Sequence, residues 1–467
     1  MRSRTPLLLV VAGLSAALLA SACSSTDGAV TTVTSATTVA PSSSSAVAAP
    51  GSSDAGSSSS SGSSQPGSSS SSSSSGGSST NSSSSSKSSS SSATTSKPAT
   101  GTGSFDHPQD GVALPDGFVP KKLTPGEKPP QFVVVSFDGV GWHEKWQYWF
   151  NIGKKVPFRF TGFLSGTYML TEATKDHYDA PFYGPGHTEI NWNSASDLPV
   201  EIDDVNQALA SGDELGTHFN GHFCQSTGIP SGGNNWTTAD WNHELDQFFM
   251  LIKNYKANNP GVDVPKLKLT ANDIRGERTP CLEGHQEDLF PALVKHDMTY
   301  DSTFTKRGIA WPTQSKQYKI WQIGMAEYPM HGTISGNSDL SAAQRTQHVQ
   351  ITMDYNFYYS QEKASSKGVT PAQSKIDSQQ VLDTYKDMYN DTYNGNRAPL
   401  ILGNHLNEWN NNAYADAVSN FVLQTCGKPD TECVPFRDMI AWMEVQDPTR
   451  LAQLQAQAPE LGKTVTK

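Results

Sequence analysis

The sequence lacks a basic cluster, a long apolar run and a closely spaced cysteine pair, and each absence excludes a class of function. It holds 34 Lys and Arg against 45 Asp and Glu, a formal net charge of −11, so no nucleic-acid partner is expected. The apolar stretch at residues 7–19 is too short for a permanent membrane span. None of the five cysteines forms a Cys-X-X-Cys pair, which disfavours a zinc site built from thiolates.

The first 23 residues have the pattern of an export signal. Arg2 and Arg4 precede the apolar stretch, and small residues lead to Cys23. A site of this kind that ends at a cysteine resembles a bacterial lipobox, in which Cys23 would be lipidated. Ala20 stands where a leucine is usual, so secretion after cleavage at Ala22 is the alternative. We expect an extracytoplasmic protein that meets the cell membrane through a lipid anchor only.

Residues 24–104 consist almost entirely of Ser, Thr, Gly, Ala and Pro. Such a segment cannot bury enough apolar surface to offset its ordering entropy, so disorder is expected. A flexible coil of this length would span roughly 50 Å on average. It would act as a tether into a cell wall or as a passive stalk, and the sequence does not separate the two.

The rest of the chain alternates predicted strands and helices, which favours one α/β domain over residues 105–450 with a parallel sheet, open or closed into a barrel. Strands are predicted at 131–137, 214–217, 267–270 and 400–402, among others, and a helix at 143–155. The last residues, 451–467, are expected to be a poorly ordered tail with helical character.

Two histidines stand four residues apart, His218 and His222. Imidazoles at this spacing can face the same way and bind one metal ion. The residue after His218 is Phe219 rather than glutamate, which excludes the HExxH motif of zinc proteases. The pair is therefore a candidate metal site, and the alternative is two ordinary polar histidines.

Three more polar residues accompany the pair. Asp138 ends one apolar run, Arg278 stands in a later loop, and His405 ends a second apolar run. Reactive residues gather at the carboxyl ends of parallel strands, so Asp138, His218 and His405 are expected to lie together. An acid, an arginine and histidines are the side chains of a metal-assisted hydrolase.

Five segments resemble, in order, the motifs of polysaccharide deacetylases with NodB homology, the carbohydrate esterase family four. They are residues 136–139 (TFDDG motif), 160–164 (second strand), 213–222 (GHEIGxH…H), 278–280 (RxPY/RxPF) and 401–405 (LxH). The match runs from about residue 131 to residue 443. The resemblance implies a distorted (β/α) barrel and removal of acetyl groups from N-acetylated polysaccharide, with peptidoglycan or a chitin-like glycan as substrate.

The resemblance also implies a role for each candidate residue. His218 and His222 would hold a divalent metal, with zinc the expected ion, and Asp138 would be the general base. Arg278 would keep Asp138 ionised and oriented, and His405 would protonate the leaving amine. The backbone after Pro280 would stabilise the oxyanion, and the acetyl methyl would lie against two leucines, Leu402 and Leu406.

The chain departs from the family at Gly139, where the family's second aspartate, the third metal ligand, is expected. Asp138 would bind the metal itself, or a carboxylate such as Asp179 or Glu189 would replace the missing ligand. Otherwise the site is degenerate and the protein is a non-catalytic carbohydrate-binding lipoprotein. For the aspartate that tunes the last histidine, the candidate is Asp354.

Four cysteines remain when Cys23 is set aside, an even number that suits two disulfides in an oxidising environment. Three pairings are possible. We predict a local bridge, Cys426–Cys433, which leaves Cys224–Cys281 to join the loop after His222 to the loop after Arg278. Chitin-deacetylase-like members of the family also carry cysteines.

Overall fold

The computed structural model describes residues 103–225 and 231–462. The predicted export signal, Cys23 and nearly all of the predicted linker lie outside the described residues. No helix in the described part of the chain is long and apolar enough to cross a membrane.

Most strands belong to one curved, largely parallel sheet. In chain order the strands are β1 (Gln131–Asp138), β2 (Thr161–Leu164), β3 (Asp179–Ala180), β4 (Gly184–Pro185), β5 (Glu214–Thr217), β6 (Gly276–Glu277), β7 (Tyr300–Asp301), β8 (Lys306–Arg307), β9 (Thr313–Gln314), β10 (Trp321–Gln322), β11 (Ala326–Pro329), β12 (Val349–Ile351), β13 (Leu400–His405) and β14 (Thr431–Cys433). The sheet runs β13-β1-β2-β5-β6-β7-β10-β9, with β14 beside β1. Only β9 pairs antiparallel within it.

Helices cover the outside of this sheet. They are α1 (His143–Gly153), α2 (Asp197–Ser211), α3 (Thr238–Asn254), α4 (Gln286–Lys295), α5 (Ala342–Thr346), α6 (Asp354–Glu362), α7 (Pro371–Asn394), α8 (Trp409–Thr425), α9 (Phe436–Val445) and α10 (Pro448–Gln455). Phe137 of β1 packs on Trp149 of α1 at 4.6 Å between ring centroids. The helix α3 begins after Thr237, whose side chain forms a capping box with Asp240.

The strand β1 lies inside the sheet, between β13 and β2, and its apolar run is buried on both faces, since all eight of its residues are buried. Its register places Asp138 opposite His405 of β13 on one side and Phe163 of β2 on the other. The carboxyl ends of the three strands therefore meet at one edge of the sheet.

A second sheet, β12-β11-β8, covers the open edge beside β13. Met353 forms a parallel bridge with Gly403 of β13. The Gly403 N–H donates to the Thr352 carbonyl and the Thr352 N–H to the Ala326 carbonyl, both at 3.0 Å. These bonds connect β13 to the small sheet, and the predicted α/β fold with a distorted barrel is confirmed.

Residues 103–118, the basal segment, lie where the strands begin. Asp116 forms ion pairs with Arg159 at 2.9 Å and with Arg437 at 3.0 Å. The Arg437 guanidinium also lies 4.5 Å from the centre of the Phe105 ring. Arg159 lies two residues before β2, so the basal segment occupies the end of the barrel opposite the carboxyl ends of the strands.

The prediction of a strand at residues 267–270 is wrong. The backbone N–H of Leu267 donates to the Tyr255 hydroxyl, and that of Lys268 donates to the Asn206 side chain. Side chains of two neighbouring helical segments therefore take the donors that a sheet partner would need.

The prediction of a poorly ordered tail is also wrong for residues 451–462. Leu454 of α10 is buried. The backbones of Ile309 and Glu460 exchange two hydrogen bonds, at 2.9 and 3.0 Å. This part of the predicted tail is integrated into the domain, while residues 463–467 lie outside the described part.

Both predicted disulfides are present. Cys224 and Cys281 are joined with their Cα atoms 5.8 Å apart, and Cys426 and Cys433 with theirs 5.7 Å apart. We expect mass spectrometry of non-reduced peptides to recover these two pairs, because each Cα separation suits a disulfide. Recovery of Cys224 with Cys426 or Cys433 would contradict this arrangement.

Candidate active site

The predicted site residues come together at the carboxyl ends of the parallel strands. Asp138 ends β1, His218 follows β5, Arg278 follows β6, and His405 ends β13. Each side chain is buried or nearly so, with His405 the most exposed at 19%. The strand-end placement expected from the sequence is what the structure shows.

Arg278 is fully buried and holds Asp138. One guanidinium nitrogen donates to Asp138 Oδ1 at 2.7 Å and to Ser136 Oγ at 2.9 Å. The other donors go to the Ser302 carbonyl oxygen and hydroxyl, at 3.0 and 2.8 Å. Ser136 and Ser302 thus fix the guanidinium plane, a role that sequence reasoning missed.

The electrostatic surroundings keep Asp138 ionised. Burial by itself would raise the pKa of Asp138, but Arg278, followed by His218 and His405, outweighs this effect and lowers that pKa. Asp138 is therefore present as a carboxylate that can accept a proton.

His218 presents a free ring nitrogen to the site. Its Nδ1 lies 2.7 Å from the Arg278 carbonyl oxygen, which only accepts, so Nδ1 carries the hydrogen. Its Nε2 is buried and has no hydrogen-bond partner among the described residues. Burial lowers the pKa of His218 to about 4, which leaves Nε2 with an available lone pair. An unpartnered, unprotonated imidazole nitrogen fits a metal ligand.

His222 lies beside it, with ring centroids 5.0 Å apart. Burial, followed by the neighbouring His218 and His405, lowers the pKa of His222 to about 3, so this ring is neutral too. The two rings do not lie on a helix, because Phe219 and His222 both have φ of +57°. A tight loop with left-handed backbone, and not the periodicity of a helix, therefore brings the two rings together.

Buried polar groups hold this loop. The Asn220 amide donates to the Glu244 carbonyl oxygen and carboxylate, at 2.8 and 2.7 Å. Tyr178 donates to the same carboxylate at 2.7 Å, and Thr167 donates to the Asn220 carbonyl at 3.0 Å. No local pattern marks these partners in the sequence, because they lie 24 to 66 residues apart.

His405 is oriented by Asp354, the candidate named from the sequence. The Asp354 carboxylate lies 2.7 Å from His405 Nδ1 and accepts from the His405 backbone and the Asn407 amide, also at 2.7 Å. Burial would lower the pKa of His405, but the charge and hydrogen bond of Asp354 outweigh it and raise that pKa. With Nδ1 bonded to Asp354 and the pKa of the ring raised, the Nε2 of His405 can act as a proton donor.

We expect Asp354→Asn to lower kcat by roughly 10-fold or more, because the amide keeps the shape but removes the charge that keeps His405 protonated. An acid acts only while protonated, so activity is lost as pH rises through the raised pKa of His405. The alkaline limb of the kcat–pH profile should therefore move to lower pH in this variant. A profile of unchanged shape would contradict the role of Asp354.

No carboxylate completes a group of three with the histidine pair in the described part of the chain. The one such group there consists of His222, Cys224 and Cys281, whose ligand atoms lie within 4.8 Å of one another. Asp179 points to His243, 3.7 Å away, and is half-exposed. Glu189 lies at the rim, where its carboxylate accepts from the Cys224 N–H at 3.2 Å. Of the two carboxylates suggested from the sequence, Glu189 alone borders the loop of His222.

Gly139 has room for a side chain. Its φ is +59°, and the nearest atoms to an added Cβ would be Ser165 Oγ at 3.8 Å and His218 Cδ2 at 3.9 Å. These are ordinary van der Waals distances. Position 139 therefore has space for a side chain, although its positive φ strains most residues other than glycine.

The three residues predicted to contact substrate have different placements. Pro280 is buried just before Cys281, which has φ of +57°. Leu406 is partly buried next to His405. Gly403 faces Arg278, since a Cβ added to Gly403 would lie 3.4 Å from the guanidinium. Successive residues of a strand point to opposite faces, so Leu402 points to the other face of β13. This placement does not support the prediction that Leu402 contacts the acetyl methyl.

No protein-family model matches the sequence, and no curated protein matches it. Its structural neighbours include polysaccharide deacetylases, family 4 carbohydrate esterases and an allantoinase. A protein assigned as a polysaccharide deacetylase from Mycobacterium smegmatis has a TM-score of 0.41 at 13% identity, over 74% of this chain and 99% of that chain. A family 4 carbohydrate esterase from Streptomyces lividans, in complex with acetate, has a TM-score of 0.31 at 10% identity, over 64% and 90%.

A family 4 pseudoenzyme from Bacillus anthracis is also similar, with a TM-score of 0.29 at 10% identity, over 67% of this chain and 68% of that chain. At these identities and scores the comparison carries no argument about activity. The function is therefore derived from the site itself.

Proposed function

We propose that the protein is a metal-dependent hydrolase that removes acetyl groups from N-acetylated polysaccharide. The observation that carries the proposal is the meeting of an ionised aspartate, a neutral histidine pair and a histidine–aspartate pair at one end of the barrel. Few sites need a base, metal ligands and an acid together unless they hydrolyse a bond.

His218 and His222 would hold the cation, since both rings are neutral and the Nε2 of His218 has no other partner among the described residues. A bound divalent cation would polarise the acetyl carbonyl oxygen and lower the pKa of a water molecule. Imidazole nitrogen is a borderline ligand that suits zinc among the common ions.

The remaining residues would move protons. Asp138 would accept a proton from the attacking water, and Arg278 would keep its carboxylate ionised and aimed. His405, protonated with the help of Asp354, would donate to the nitrogen of the departing amine. A base and an acid on opposite sides of one carbonyl group are what amide hydrolysis requires.

The test is the metal content of the purified full-length protein together with acetate release from N-acetylglucosamine oligomers. Bound zinc near one per chain with acetate release would support the proposal. A protein that binds neither zinc nor cobalt and releases no acetate would overturn it.

Gly139 favours a second candidate, a carbohydrate-binding protein without catalysis. Two protein ligands hold a catalytic metal less well than the usual three. This candidate predicts binding of N-acetylated glycan with no acetate release at any metal concentration. Turnover by the wild-type protein would eliminate it.

Export and anchoring are part of the same proposal, because an N-acetylated wall polymer lies outside the cytoplasm. Cys23 would carry the lipid, with free secretion as the alternative. Replacing Cys23 with serine should move the protein from the membrane fraction to the soluble fraction. Equal distribution of the two forms would favour secretion.

A further inference from the structure

A short hairpin, formed by β3 and β4, carries an exposed aromatic ring at its tip. Phe182 lies in the turn between the two strands, and its side chain is 53% exposed. Its φ is +65°, a left-handed conformation that is uncommon for a bulky residue and costs free energy. Glycine or asparagine would avoid both the strain and the exposed apolar surface. The turn itself therefore gives no reason for a phenylalanine at this position.

Several contacts fix the hairpin below its exposed tip. The Asp179 backbone N–H donates to the side-chain oxygen of Gln247 at 2.6 Å, and the Gln247 amide donates to the Asp179 carbonyl at 2.8 Å. The ring of Tyr183 stacks on that of His187, with centroids 4.1 Å apart. An aromatic ring on an anchored hairpin loses little conformational freedom when a ligand binds to it.

The hairpin adjoins the proposed catalytic site. The Tyr183 ring also stacks on Phe223, at 5.4 Å between centroids and 24° between planes. Phe223 directly follows His222 in the chain. On the far side of β4, the Glu189 N–H donates to the Gly221 carbonyl at 2.8 Å. The hairpin and the loop of His222 are thus packed together, and the exposed ring at the tip belongs to the rim of the site.

We propose that Phe182 is a sugar-binding residue, which stacks on a polysaccharide unit neighbouring the unit that loses its acetyl group. This inference deepens the proposed function and rests on it. The apolar C–H face of a pyranose ring fits the flat face of an aromatic side chain, whose negative quadrupole attracts polarised hydrogen atoms. Asp179 and His243, both about half-exposed beside the hairpin, offer hydrogen-bond partners to the sugar hydroxyl groups.

The contact makes the protein favour long chains over short ones. A polymer reaches Phe182 and the candidate metal site at once, whereas a short oligomer bound at the site does not extend to the ring. Stacking at the hairpin tip involves no reacting atom, so it stabilises the bound substrate and the transition state equally. Such a contact lowers KM and leaves kcat unchanged. Phe182 is thus a specificity-determining residue and not a catalytic one.

The experiment compares the full-length wild type with Phe182→Asn and Phe182→Trp, using an N-acetylglucosamine disaccharide and hexasaccharide. Asparagine removes the ring and tolerates positive φ, whereas tryptophan keeps an aromatic face. In Phe182→Asn the KM for acetate release from the hexasaccharide should rise about 10-fold. Its kcat and its KM for the disaccharide should not change. Phe182→Trp should keep the wild-type preference for the longer chain.

Thermal unfolding separates a binding role of the ring from a structural one. The Tm of Phe182→Asn should equal or exceed that of the wild type, because the variant loses a strained, exposed side chain. The matched control is Ile376→Ala on α7, since Ile376 is exposed to the same degree, at 54%. The control should keep the wild-type KM for both oligomers. An unchanged hexasaccharide KM in Phe182→Asn, an equal rise in the control, or a lower Tm of Phe182→Asn would each overturn the proposal.

This proposal and the proposed function fail separately. Calorimetric titration of the chelator-treated full-length protein measures oligomer binding without turnover. Tighter binding of the hexasaccharide than of the disaccharide, lost in Phe182→Asn, keeps the sugar-binding role even where the untreated protein releases no acetate. Acetate release together with hexasaccharide binding that does not depend on Phe182 keeps the deacetylase and removes this role.

Discussion

Replacing His222 with alanine is expected to abolish both metal retention and acetate release while the fold remains intact. The ring is a neutral ligand next to His218, and its loss leaves a single histidine at the site. One imidazole cannot hold a zinc ion against water, so metal affinity should fall on the order of 100-fold or more. Metal analysis after dialysis and acetate release give the two readouts.

Because residue 222 has φ of +57°, His222→Asn is a useful second variant, since asparagine tolerates this backbone conformation. His331→Ala is the matched control, because His331 pairs with Asp387 at the surface. The control should keep wild-type metal content and activity. Unchanged turnover in both His222 variants would remove this residue from the mechanism.

Gly139→Asp is expected to tighten metal binding by about 10- to 100-fold by adding the missing carboxylate ligand. The space exists, since the nearest atoms to an added Cβ lie at 3.8 Å or more. Aspartate is among the residues that tolerate positive φ. Zinc or cobalt affinity, measured by titration calorimetry, gives the result.

The control for this variant is Gly139→Ala, which also places a Cβ at this positive φ but supplies no ligand. If both variants bind metal equally, position 139 does not reach the cation and the third ligand lies elsewhere. Glu189→Gln then becomes the next measurement, because Glu189 borders the loop of His222. A further loss of affinity in Glu189→Gln would assign it that role.

The sequence predicted the site well where the chemistry depends on strand ends. The apolar run of β1 ends at Asp138, and the strand before His405 shows the same pattern, so parallel pairing alone brings these side chains together. The strand before His218 was predicted with its correct first and last residues, Glu214 and Thr217. Arg278 was identified through the resemblance of residues 278–280 to a family motif, and the short strand before it, β6, was not predicted.

The parts that the sequence left uncertain or predicted wrongly depend on long-range contacts. Asp354 was only a candidate, since its partner His405 lies 51 residues away with no local signal between them. The segment at residues 267–270 has the composition of a strand, but Tyr255 and Asn206 take its backbone donors. Leu402 was predicted to contact the acetyl methyl, but the alternation of side chains along β13 places it on the face opposite Gly403.

The position of the basal segment determines the end of the domain at which the described chain enters it. Residues 105 and 116 meet Arg437 where the strands begin, whereas Asp138 and His405 lie where they end. The eight residues of β1 separate the two ends by about 26 Å. Residue 103, the first that the structure describes, therefore lies at the end of the barrel away from Asp138 and His405, and the described chain enters the domain from that end.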